Sequence, residues 1–232
     1  MFIGGRTGRI ACLVTVAVTT AVGGLIGCHS SGSATHQQRP AKVRKARSAG
    51  ETTGGLTRMS ASAGSGGACV FVKPDGAQKF GHVGWGFRIT GTNQWVYGAV
   101  ENPTNKLYTP PGGNIGAWHA QGSYARMLSD MSRDAHYPGR STHPYSRYRC
   151  VSSSTGDVNN AWRMIHTVES RGFLVGIDPK TGELTSRDCL DATYDVLHAY
   201  RARHLTYAPH LDIPNVWVET LWDWSDHTLT PR

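Results

Sequence analysis

Beyond about residue 67 the chain carries two hydrophobic rhythms, one of period two and one near 3.6. The clearest period-two stretch is Phe80-Gly81-His82-Val83-Gly84-Trp85-Gly86-Phe87-Arg88-Ile89. It puts Val83, Trp85, Phe87 and Ile89 on one face of a strand and His82, Gly84, Gly86 and Arg88 on the other. The large side chains are expected to pack a core. Two glycines on the histidine face weaken a strand unless another backbone or a ligand needs close approach. Thr90-Gly91-Thr92-Asn93 reads as a hairpin turn and residues 94–101 as the returning strand, with Trp95, Tyr97, Ala99 and Glu101 on one face. An antiparallel return brings Glu101 towards His82, where a carboxylate holds an imidazole in one tautomer and stabilises its cation. The competing reading of Glu101 is a solvated strand end before Asn102-Pro103.

Upstream, Val70-Phe71-Val72 before the turn signal Lys73-Pro74-Asp75-Gly76 predicts an edge strand. Downstream, residues 117–131 have mixed helical character with Met127, Leu128 and Met131 as core contacts, and residues 145–151 alternate as a strand does. Asp157 predicts the N-cap of a helix over 158–170, carrying Ala161, Trp162, Ile165 and Val168 and stopped by Gly172. Residues 173–177 predict a short strand and 178–182 a turn. Leu190, Tyr194, Leu197 and Arg201 then recur at helical spacing, with Asp188 and Asp191 at the helix start, where the macrodipole favours acids. Pro209 and Pro214 break the chain, and residues 215–224 predict a last helix whose Trp217, Leu221 and Trp224 form a packing stripe.

The first 67 residues have a different character. Arg6 and Arg9 precede an apolar run over 10–26, which predicts an export signal over residues 1–28. It ends in Leu25-Ile26-Gly27-Cys28, which resembles the bacterial lipobox; that resemblance implies lipidation of Cys28 and a lipoprotein anchored on the extracytoplasmic face. Residues 29–67, rich in Ser, Gly and Thr, read as a flexible tether, and Arg39, Lys42, Arg44, Lys45 and Arg47 make it basic. The formal charge of +8 belongs to this region: eight of the 24 Lys and Arg but one of the 16 acids (Glu51) precede residue 69. A nearly neutral domain over 68–232 gives little support to nucleic-acid binding, for which a basic face is expected.

The chain has five cysteines. With Cys12 inside the signal and Cys28 carrying lipid, Cys69, Cys150 and Cys189 remain in a disulfide-permissive compartment, and an odd count leaves one thiol over. Pairing of Cys69 with Cys150 leaves Cys189 free; other pairings, or three reduced thiols, are equally compatible with the sequence. Cys189 opens a helix, where the backbone potential favours a thiolate and first-turn amides are available to an oxyanion. A buried, inert thiol is the alternative. Neither His-Glu-x-x-His nor Cys-x-x-Cys occurs, and His119, His136 and His143 lack ligand spacing, so no metal or other cofactor is expected.

A Gly-His-Val-Gly strand, a hairpin return ending in Glu, a long middle and Asp-Cys at a helix start together resemble the circularly permuted branch of the papain-like cysteine hydrolases. That branch includes cell-wall peptidases and amidases and the lecithin:retinol acyltransferase group. The resemblance spans about residues 69–225. It implies an α+β fold with a small antiparallel sheet packed against the cysteine-bearing helix, Cys189 as nucleophile, His82 as base and Glu101 as the orienting third residue. Gln78 and Tyr97, which flank the histidine strands, and Asp188 are candidates for substrate or oxyanion contact. Many relatives have Asn before the cysteine, so Asp188 is a departure that bears on thiol reactivity. The expected chemistry is acyl transfer through a thioester, on a cell-wall peptide as first choice. A lipid acyl substrate, or a binding module without activity, are the alternatives.

Overall fold

The computed structural model describes residues 65–137 and 144–230. The signal-like segment, Cys28, the tether up to residue 64 and His143 lie outside the described residues. Among the described residues no helix is long and apolar enough to cross a membrane.

In chain order the elements are β1 (Gly66–Lys73), β2 (His82–Arg88), β3 (Gln94–Val100), β4 (Tyr108–Thr109), β5 (Ala117–Ser123), α1 (Tyr124–Arg133), β6 (Arg147–Ser153), α2 (Val158–Ser170), β7 (Phe173–Ile177), β8 (Leu184–Arg187), α3 (Cys189–Ala199), α4 (Pro214–Glu219) and β9 (Ser225–Thr228). Six strands form one sheet in the order β5-β3-β2-β1-β6-β9, and β4-β7-β8 form a second; every pairing is antiparallel. The architecture is thus α+β.

β1 is central, between β2 and β6, rather than the expected edge. Its unbroken apolar run explains the placement, because a strand covered on both faces has no polar side to show. One face, with Val70, Val72, Val83, Trp85 and Phe87, packs against Ala161, Ile165 and Val168 of α2, Leu190, Val196 and Leu197 of α3, and Trp217. The other, with Cys69, Phe71, Tyr97 and Ala99, packs against Met127 and Met131 of α1 and against Tyr145 and Tyr148. The glycines of β2 answer to this second layer. A Cβ on Gly86 would lie 2.7 Å from Met127 Sδ, and one on Gly84 would lie 3.1 Å from Met131 Cε. Close approach is therefore required at Gly86 by α1, and at Gly84 by the Gly98 carbonyl oxygen at 2.9 Å and the Tyr145 hydroxyl at 3.0 Å together with α1.

Three segments differ from expectation in extent. Residues 117–123 are strand, and α1 starts only after Ser123, whose side chain accepts from Arg126 N at 3.2 Å and supplies the N-cap. The last helix covers only α4, with Pro214 in its first turn, where proline's missing N–H costs nothing. Leu221 and Trp224 lie beyond it yet are buried, so the stripe packs as expected without being wholly helical. Arg201, read as part of the α3 stripe, lies past the helix end and is exposed. α2 follows its predicted bounds, with Asp157 accepting from Asn160 N at 3.0 Å.

Cys69 faces Cys150 across the β1–β6 register, and the two form a disulfide. Cys189 is the free cysteine among the described residues.

Candidate active site

His82 opens β2 directly opposite Lys73, the last residue of β1. On the other side of β2 the β3 register pairs Gly84 with Ala99, so Glu101, two residues on, comes level with His82. Lys73, His82 and Glu101 thus make one row across the end of the sheet. α3 packs against β2 from the opposite face, and its first residue, Cys189, is 7 % exposed and within hydrogen-bonding reach of the His82 imidazole.

The Glu101 carboxylate is the hub of the row. Oε2 lies 3.0 Å from His82 Nε2 and 2.8 Å from Lys73 Nζ, while Oε1 accepts from Tyr145 OH at 3.0 Å and from Trp118 Nε1 at 3.2 Å. The imidazole contact has the length of an ion pair without the alignment of a hydrogen bond, so its attraction is chiefly between charges. Burial by itself would raise the Glu101 pKa, but the His82 and Lys73 charges outweigh it and hold the carboxyl well below the usual range. Burial likewise opposes a charged imidazole, yet Cys189 and Glu101 together push His82 up to about 10. Tyr145 is shifted well upward, by burial and then by Glu101, and so stays a donor. The strand end that the sequence leaves open between two readings is a buried carboxylate with three hydrogen-bond donors and the imidazole beside it.

Asp188 is the N-cap of α3. Its Oδ1 accepts from Leu190 N at 2.8 Å and Asp191 N at 3.2 Å, and Asp191 Oδ2 accepts in return from Asp188 N at 3.1 Å, a closed capping box. Burial, then the neighbouring Asp191 charge, raise the Asp188 carboxyl to about 6. The cap also limits the chemistry of the helix start. With Leu190 and Asp191 N–H committed to Asp188, the Cys189 N–H is the first-turn amide left for an oxyanion.

The other two candidates stand elsewhere. Tyr97 is fully buried and donates its hydroxyl to Asp130 Oδ2 at 2.6 Å, tying β3 to α1. Its phenol is therefore unavailable to a substrate, which corrects the expectation. Gln78 is exposed on the loop before His82, where Ala77, Gln78 and Lys79 all have left-handed φ of 44°, 57° and 75°. Such a run is strained in non-glycine residues and needs outside support. Asn215 of α4 supplies it: its Nδ2 donates to Pro74 O at 2.9 Å and Lys79 O at 3.1 Å, and its backbone N–H to Phe80 O at 3.1 Å. Gly81, at φ 94°, leaves room for that side chain, since a Cβ would sit 2.2 Å from Asn215 Oδ1.

Sequence reading missed Lys73, Tyr145, Trp118 and Asn215. Lys73 was legible in part, because the alternation of β1 puts it on the face of Cys69 and Phe71. Its role depends on cross-strand register, which the turn signal Lys73-Pro74-Asp75-Gly76 conceals. The others arrive from distant elements without a motif.

Among the described residues no group of three or more His, Cys, Asp or Glu side chains is arranged to hold a metal ion. His119 pairs with Glu169 at 2.5 Å, and His136 stacks on Trp118 with ring centroids 4.6 Å apart. A shallow depression of about 640 Å³ lined by Ser152, Ser153, Arg201 and Arg203 lies towards the Gly66–Ser153 end of the sheet, away from Cys189, and holds no nucleophile–base pair. Comparison with protein-family models, with curated proteins and with solved structures finds no match.

Proposed function

We propose that the chain is a thiol-dependent acyl-transfer enzyme of permuted papain-like type, acting as an amidase or peptidase on cell-wall peptides from the extracytoplasmic face. The observation that carries this reading is the His82 imidazole held between the one free thiol among the described residues, Cys189, and the buried Glu101 carboxylate. A nucleophile within reach of a base that a third group orients is the arrangement covalent acyl transfer needs. With Nε2 turned to Glu101, Nδ1 is left to take the thiol proton. The Cys189 sulfur attacks the acyl carbon, the tetrahedral oxyanion meets the Cys189 N–H, and the imidazolium returns its proton to the leaving amine. Water, deprotonated by His82, then releases the acid from the thioester.

The Cys69–Cys150 disulfide supports an exported site of action, since such bonds persist in oxidising compartments. The lipidated Cys28, the basic tether and the absence of a nucleic-acid role belong to the same proposal. A lipid acyl substrate is the second reading, favoured by large apolar side chains left exposed beside the site. Phe80, two residues before His82, is 55 % exposed, and Val216, next to the Asn215 that holds the Phe80 loop, is 57 % exposed.

The test is incubation of the wild type and Cys189→Ala with purified cell-wall peptides and, separately, with phospholipid vesicles, followed by mass spectrometry of the products. Release of a peptide amine by the wild type alone is expected. Acyl loss from lipid alone selects the second reading, and equal activity of Cys189→Ala, or none from either protein on either substrate, contradicts both.

A further inference from the structure

Asp134 occupies a position that local energetics disfavour three times over. It is the C-cap of α1 in left-handed conformation, φ 54° and ψ 43°, where glycine or asparagine is the usual choice. It brings an acid to the negative end of a helix dipole. It is also 8 % exposed, with its side chain almost wholly covered. A residue that breaks three local rules at once points to a gain elsewhere. That gain is Lys73, whose Nζ lies 2.8 Å from Asp134 Oδ2 and 2.8 Å from Glu101 Oε2, beneath the rings of Tyr145 at 4.4 Å and Tyr137 at 4.9 Å.

We infer that Asp134 and Lys73 form the outer half of a charge row, Asp134–Lys73–Glu101–His82, in which Lys73 positions the Glu101 carboxylate and Asp134 sets how much of the lysine's charge the imidazole feels. Both act through Glu101 and are positioning residues; the inference rests on the reading of His82 and Cys189 as base and nucleophile. Charge balance leads to it. Glu101 with Lys73 alone is a neutral pair, which gives little reason for His82 to hold a proton in a buried site. The second acid makes the row complete only when His82 is a cation, so that two positive and two negative groups alternate across the sheet end. The balance therefore favours the imidazolium that a thiolate partner requires. The other titratable groups near His82 are Tyr145, with its ring 6.0 Å away, Cys189, and Asp188 and Asp191 behind it at the start of α3. Tyr145 also feels Asp134 and covers Lys73, but its strongly raised pKa keeps it a neutral donor in every variant, so a change in the imidazole reports on the row.

The experiment is an imidazole ¹⁵N NMR titration of His82 in the full chain, in the wild type, Asp134→Asn and the double variant Lys73→Met/Asp134→Asn. Asparagine accepts the left-handed conformation and can still accept from Lys73, and the double variant leaves no buried charge unpaired. Asp134→Asn is expected to move loss of the His82 proton to lower pH by roughly one unit, about a tenfold change in the equilibrium. The double variant, which also removes the nearer cation, is expected to move it above the wild-type value. Reversal of sign separates this role from a structural one, since two loosened sites would shift alike. A folded Asp134→Asn that titrates within about 0.3 units of wild type, or a downward shift in both variants, overturns the row. If Asp134→Asn does not fold, the double variant decides: titration more than about 0.3 units above wild type supports the row, and titration at or below the wild-type value overturns it. Alkylation of Cys189 by iodoacetamide on the same wild-type sample tests the underlying reading separately. An unreactive thiol beside a His82 that shifts as expected removes the nucleophile and keeps the row.

Discussion

Oε2 of Glu101 lies 3.0 Å from Nε2 of His82 and also accepts from the buried ammonium of Lys73, so a single carboxylate oxygen serves two cations. Glu101→Gln keeps an acceptor for Tyr145 and Trp118 but turns an amide, or a neutral oxygen, towards both cations. We expect a loss of about 100-fold or more in Cys189-dependent turnover, as for other changes to the orienting acid of a catalytic base. The His82 imidazole should also lose its proton below about 10, because one of the two groups that favour the cation, the other being Cys189, is gone. The stability effect has a definite sign. A carboxyl whose folded pKa lies below its ordinary value of 4.5 stabilises above that pH and loses the contribution as pH falls. The deficit of Glu101→Gln in urea unfolding should therefore be full at pH 7 and shrink below about pH 4.

Asp188 works in the opposite sense. Its carboxyl titrates at about 6 in the fold against an ordinary value of 3.8, so its favourable contribution is present below 3.8 and lost as pH rises through 6. Asn caps a helix as well as Asp does. Asp188→Asn is expected to be more stable than wild type by about 2 kcal/mol at pH 7, with no gain below about pH 4. Removing an acid beside Cys189 should also quicken its alkylation near neutral pH. Urea unfolding at the two pH values, with one alkylation rate, checks both.

The Cys69–Cys150 disulfide joins residues 81 apart in sequence. Loop-closure entropy for that span gives a stabilisation of about 4 kcal/mol. Replacing both cysteines by alanine should lower the urea midpoint accordingly while leaving Cys189 alkylation unchanged, because the bond crosses β1 and β6 and touches no residue of the row. A matching loss of alkylation would show that the site depends on the bond.

Gly86→Val places a Cβ 2.7 Å from Met127 Sδ. Overpacking of this kind costs about 1–3 kcal/mol. Met127→Ala in the same chain should recover part of it, measured by thermal unfolding. No recovery would mean that the glycine serves something other than α1.

Much of the fold is legible in the sequence where one rule suffices. The alternation of residues 83–89 marks the core face of β2, and the Asp157 cap marks the start of α2. Register is harder. Nothing local reveals that Val70-Phe71-Val72 lies between two strands, because a continuous apolar run has no alternation to orient it. The same limit governs the site. His82 and Glu101 stand at strand ends that a hairpin return brings together, so they are readable as a pair, whereas Cys189 joins them in the sequence only through the resemblance to the permuted papain-like hydrolases. Lys73 and Asp134 join them only through a cross-strand neighbour and a helix C-cap, and Asn215 reaches the histidine loop from 134 positions beyond Gly81 in sequence. The glycines mislead for a physical reason: close approach by a methionine and by a ligand leave the same mark on the chain.

The sharpest discriminator is the rate of Cys189 alkylation by iodoacetamide at pH 6 in the wild type and in His82→Ala, with folding of both checked by circular dichroism. A thiol activated by a paired imidazole should react about 100-fold faster than one left without it. Equal rates in the two folded proteins would contradict the assignment of Cys189 and His82 as nucleophile and base.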